Sequence, residues 1–130
     1  GGKYISPQLL ENAMKQSRFI EQIMVIGDGQ KMPAAFIQPN FEYVKTWEKL
    51  HGIQVGNTNE EIITNPKVIE RFQEEVDNLN DKFGNWEKIK RFELTPDVWS
   101  IDGGHLTPTL KLRRKIVMEK YIDLFHKIYS

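Results

Sequence analysis

Cysteine is missing altogether from the 130 residues, which removes disulfide staples, thiolate metal ligands and a cysteine nucleophile together. That suits a reducing compartment, and a cytoplasmic location is the expectation. An excess of charge is missing too: 18 Lys and Arg stand against 18 Asp and Glu, for a formal net charge of zero. A balanced domain lacks the broad positive field of a nucleic-acid or anionic-membrane binder, so nucleic acid is not an expected partner. Histidine is scarce. His51, His105 and His126 lie far apart, without the spacing of a metal site, and no metal ligands are expected. No apolar run approaches the roughly 18 residues of a membrane span, and no signal peptide is visible. The chain begins without Met and is expected to be a fragment of a longer protein.

A chain of this length fits a single domain, residues 1–130, with enough surface to bury for folding. Ser6-Pro7 opens a helix, with Ser6 at the N-cap and Pro7 at the first helical position. Leu9, Leu10, Ala13 and Met14 form its apolar stripe, and it ends near Ser17. Two apolar runs, 19–26 and 33–38, flank Gly27-Asp28-Gly29 and read as an antiparallel hairpin with Ile23, Val25, Ala35 and Ile37 in the core. Asn40 caps a second helix that stops at His51-Gly52. Residues 53–58 are a polar connection. Asn65-Pro66 opens the longest helix, whose face runs through Val68, Phe72, Val76 and Leu79 to Phe83, with Gly84 just past its end. Residues 89–94 alternate apolar and polar and read as a half-buried strand. Residues 99–101 suggest a further short strand before the Asp102-Gly103-Gly104 turn, where His105 reads as a surface turn residue. Trp86 and Trp99 read as core or interface aromatics.

The chain is organised around residues 106–115, Leu-Thr-Pro-Thr-Leu-Lys-Leu-Arg-Arg-Lys. Pro108 fixes its own φ and biases Thr107 toward an extended backbone, so no helix runs through Thr107. Helical periodicity begins only with Ile116, Val117 and Tyr121 and continues through Leu124, Phe125 and Ile128 to about Tyr129. Lys111 therefore sits in a loop just before a helix start. Four cations gathered there, Lys111, Arg113, Arg114 and Lys115, oppose the helix dipole, which favours anions at that end. Either the patch is simply solvated or an anion is brought to it. The fold expected is α+β: a small, mostly antiparallel sheet of about three strands with packed helices, plus a short two-stranded element at the basic loop.

Two stretches together, Gly2-Lys3-Tyr4-Ile5-Ser6-Pro7 and Leu106 to Lys115, resemble the signature loops of one domain. It is the C-terminal domain of the AMP-forming adenylating enzymes, and the likeness is closest to the long-chain acyl-CoA synthetases. The resemblance runs from Gly1 to Tyr129. It implies a mobile lid on a large N-terminal adenylation domain of the same chain. It also implies a reaction in two steps: ATP and a fatty acid give an acyl-adenylate, and CoA then displaces AMP to leave a thioester. ATP, CoA and Mg would be bound mainly through the large domain, so the fragment alone is expected to be inactive. Peripheral membrane association of the parent is left open.

Residue by residue, the resemblance puts the reaching lysine at Lys111. The ammonium would bridge the attacking carboxylate and an α-phosphate oxygen. Lys115 is the alternative, a full turn into the helix and pointing away. Gly2, Lys3 and Tyr4 match the loop that lines the pantetheine tunnel, Gly2 where a backbone passes close to the CoA arm. Arg91, Arg113 and Arg114 are available to CoA phosphates. The sequence departs from most of the superfamily at Leu110, where glycine is usual, and the loop before the lysine is one residue shorter. A non-catalytic module that binds an anion, RNA or protein through the basic loop is the second reading, and a dimerisation domain using the last helix is the third.

Overall fold

A computed structural model of the chain describes residues 6–130. The expectations for Gly2, Lys3 and Tyr4 lie outside the described residues. Strand β1 (Ile20–Ile26) pairs antiparallel with β2 (Ala34–Pro39), with Ile23 opposite Ile37 and Val25 opposite Ala35. The hairpin is the one expected. Gly27 is required in its loop: φ is +143°, and a Cβ there would stand 3.0 Å from the Met32 carbonyl oxygen and Pro33 Cα. Strand β3 (Arg91–Leu94) joins the other edge of β2 in parallel, with Ala35 beside Phe92 and Ile37 beside Leu94. The sheet is thus mixed, in the order β1-β2-β3, within the α+β architecture. Alternation along residues 91–94 shows that a strand is half-buried but not which way it runs.

Helices cover both faces of this sheet, so every residue of central β2 is buried. On one face, Ile23, Val25, Ala35, Ile37 and Leu94 meet α1 (Pro7–Met14), α2 (Phe41–His51), α3 (Asn59–Thr64) and α4 (Pro66–Asn80). On the other, Met24, Ile26, Ala34 and Phe36 meet Trp99, Val117, Tyr121 and Ile128. Start signals follow local chemistry: the Asn40 side chain accepts from Tyr43 N–H, and Asn65 accepts from Lys67 and Val68 N–H. Helix α3 was not expected. Its signal was present as a capping box, in which Thr58 and Glu61 exchange side-chain and backbone hydrogen bonds.

Helix α4 stops at Asn80, short of the expected Phe83. The buried Asn80 amide donates to the Ile89 carbonyl (2.9 Å) and accepts from Ile89 N–H (3.0 Å), which steers the chain into β3. Residues 99–101 form no strand; Trp99 is in the core and Ile101 begins a turn. The last helix is two, α5 (Arg114–Lys120) and α6 (Ile122–Tyr129), joined at Tyr121 with φ −113° and ψ 28°. The short two-stranded element is a single antiparallel bridge between Leu106 and Leu112.

Candidate functional site

The bridge from Leu106 to Leu112 closes the stem of the basic loop, and Arg113 N–H donating to the His105 carbonyl (2.8 Å) extends it. Inside the stem, Thr107 N–H donates to the Lys111 carbonyl (2.8 Å) and Leu110 N–H to the Thr107 carbonyl (2.7 Å). The Thr107 hydroxyl accepts from Lys111 N–H (3.1 Å). Leu110 takes φ +65°, the sole non-glycine with positive φ among the described residues. A left-handed side chain costs roughly 1–2 kcal/mol, so the loop needs this turn whether or not glycine supplies it. The site where the sequence departs from the resembled pattern is therefore the site where the backbone asks for glycine.

Lys111 follows immediately. Its backbone is fixed by two hydrogen bonds, while its side chain is exposed and has no hydrogen-bond or ion-pair partner among the described residues. A positioned stem carrying an uncommitted ammonium can bring charge to an anion outside the domain. Lys115 sits in the first turn of α5, not a full turn in. It lines a groove between α5–α6 and the β1–β2 loop whose walls include Met24, Ile26, Met32, Met118 and Phe125.

The other cations do different jobs. Arg114, the first residue of α5, donates both guanidinium arms to Glu11 of α1, at 2.8 and 2.6 Å. Those hydrogen bonds hold the guanidinium above the ordinary arginine pKa. Glu11 is buried and also accepts from Val25 N–H of β1 at 2.8 Å. The anion implied by the basic helix start is thus, for Arg114, part of the domain. Arg91 donates to the Ile128 carbonyl at 2.9 Å, near the end of α6. Neither arginine is held free for a phosphate, and Arg113 is exposed.

Sequence reasoning missed His105. It is buried, not a surface residue, with its ring stacked on Trp99 at 5.6 Å between centroids. Ser100 N–H donates to Nδ1 (3.2 Å), so Nε2 carries the proton and donates to the Tyr121 hydroxyl (3.1 Å), which donates onward to Asp97 (2.9 Å). Burial, with Lys120 adding to it, lowers the His105 pKa below its ordinary value, and nearby Asp97 opposes the shift. Burial also raises the Tyr121 pKa, reinforced by Asp97. The ring is a neutral strut behind the lysine loop. No group of three or more His, Cys, Asp or Glu side chains among the described residues fits a metal ion.

A family model described as the AMP-binding enzyme C-terminal domain matches residues 1–130. The chain belongs to that family. Among relatives of this AMP-binding C-terminal domain is the long-chain-fatty-acid–CoA ligase FadD15 of Mycobacterium tuberculosis, 30% identical over 130 residues, which are 100% of this chain and 22% of the relative. The domain thus spans about a fifth of the length of the relatives it matches. The fold is similar to that of the adenylation domain of a carboxylate reductase from Mycobacterium chelonae, with a TM-score of 0.79 at 18% identity over 98% of this chain and 18% of that one. It is also similar to the A domain of carboxylic acid reductase from Segniliparus rugosus, whose structure holds AMP and a co-purified carboxylic acid (TM-score 0.74, 18% identity, 98% of this chain and 18% of that one).

Proposed function

We propose that this domain is the mobile lid of an AMP-forming long-chain fatty-acid–CoA ligase, and that Lys111 serves its adenylation step. The observation that carries the reading is the uncommitted Lys111 ammonium on a hydrogen-bonded stem, in a domain of the AMP-binding C-terminal family. Substrates are fatty acid, ATP and CoA, held mainly by a large N-terminal domain of the same chain. Attack of a carboxylate on the α-phosphate brings two anions together, and negative charge grows on the phosphoryl oxygens as pyrophosphate leaves. A compact cation on a long stem, delivered as the lid closes, bridges the two without a change in its own protonation. In the second step the CoA thiol displaces AMP, and the lid turns to present the segment with Gly2, Lys3 and Tyr4 to the pantetheine arm. Magnesium, like ATP and CoA, is assigned mainly to the large domain.

The test uses the full-length ligase. Lys111→Ala lowers ATP-dependent pyrophosphate release by about 10²–10³ and largely spares thioester formation from preformed acyl-adenylate. Pyrophosphate release near the wild-type rate refutes the role.

A further inference from the structure

Helix α5 begins badly by its own chemistry. Arg113 caps it with no side-chain hydrogen bond, the first turn holds no acidic residue, and Arg113, Arg114 and Lys115 crowd its positive end. Left to itself this turn would fray, and Lys111 lies only three residues before it. What opposes fraying is a carboxylate from 103 residues away in sequence. Glu11 accepts both arms of Arg114 and the Val25 backbone N–H. The first residue of α5 is thereby tied to α1 and to β1, which has β2 and the core behind it. A bidentate fork fixes orientation as well as distance, and a lysine does not reproduce it. On the other side of the stem, His105 is already locked into the Trp99 stack. The lysine loop is held at both ends, and the Glu11–Arg114 fork is the hold at its helical end.

We propose that Glu11 and Arg114 are positioning residues for Lys111: the fork sets where α5 starts and so where the ammonium stands when the lid closes. This rests on the role proposed above for Lys111. It is tested in the full-length ligase with Arg114→Lys, which keeps the charge and loses the fork. Glu11→Gln is the second variant; it keeps an acceptor for Val25 N–H and loses the charge.

Both variants are expected to slow ATP-dependent pyrophosphate release by roughly 10- to 100-fold, as a misplacement of about 1 Å does. KM for acid and ATP, and the rate of thioester formation from preformed acyl-adenylate, are expected to stay within about twofold of wild type on the same argument. A parallel fall in both half-reactions, tracking a lower melting temperature, makes the fork merely structural and overturns the proposal. Unchanged pyrophosphate release in Arg114→Lys and Glu11→Gln, beside a Lys111→Ala variant that has lost it, overturns the fork and leaves the lysine standing. A Lys111→Ala variant that still releases pyrophosphate at the wild-type rate removes the target, and both readings fall.

Discussion

The sheet face toward α1–α4 is filled by apolar side chains such as Leu10, Met14, Val44, Val68, Phe72 and Val76, with Phe19 set edge-on against Tyr43, Trp47 and Phe72. The face toward α5–α6 is smaller and carries a chain of polar groups through its wall: Trp99 Nε1 donates to Thr95, Ser100 N–H to His105, His105 to Tyr121, and Tyr121 to Asp97. Both faces exclude water, but they specify structure differently. The first is set by shape and volume, where the surroundings can partly relax. The second is set by donors and acceptors with one arrangement, and a broken member leaves a buried polar group unpaired. The lysine loop is built on the second face. A reaching side chain needs a backbone that does not wander, and directional bonds give that where a small apolar cluster does not.

The contrast can be broken most severely on the apolar side. Phe72→Ala, at a fully buried position, is expected to cost about 3–5 kcal/mol of stability in denaturant unfolding; a cost below about 1 kcal/mol would mean the larger core is not close-packed. Tyr121→Phe keeps the ring and removes one hydroxyl, so His105 loses its acceptor and Asp97 its donor. The expected cost is about 1–3 kcal/mol, and no change in unfolding would show that the polar chain adds nothing.

Acidification acts on the same face more gently. His105 is neutral when folded and its pKa is lowered by burial. The unfolded chain therefore takes up a proton first as pH falls through the ordinary histidine range. The stability tied to a neutral ring is complete above that range and is lost as pH drops toward the folded value. The charged and titratable groups facing the ring are Asp97, Lys120 and Tyr121. Comparing the pH dependence of unfolding of wild type with His105→Gln sharpens the point: wild type is expected to lose more stability between neutral and mildly acidic pH. Equal slopes would remove His105 as the source. Leu110→Gly, at the exposed tip, is the smallest change. Relief of roughly 1–2 kcal/mol of left-handed strain is offset by roughly 0.5–1 kcal/mol of added chain entropy in the unfolded state, leaving a net gain between zero and about 1.5 kcal/mol. A loss of stability would mean the Leu110 side chain makes contacts that matter.

Much of the architecture was legible in residues close together. Asn40, Asn65 and Pro66 mark helix starts because a cap acts over three residues, and the apolar runs 19–26 and 33–38 around Gly27-Asp28-Gly29 are local too. Met24, Ile26, Ala34 and Phe36 were harder to place, since an apolar run buried on both sides shows no period. The candidate site was half legible. Pro108 and the break in periodicity exposed Lys111 as a loop lysine, whereas Gly103-Gly104-His105 looks like any surface turn until Trp99 and Tyr121 close over the ring.

By itself the sequence determined the α+β class, the hairpin and its register face, the starts of α1, α2 and α4, and the loop that presents Lys111, because each rests on interactions within a few residues. Only the tertiary structure decided that β3 runs parallel to β2, that His105 is a buried strut, and that Arg114 is taken by Glu11. Those outcomes depend on groups up to 103 residues apart along the chain, and nothing in local spacing carries information about which distant partner will arrive.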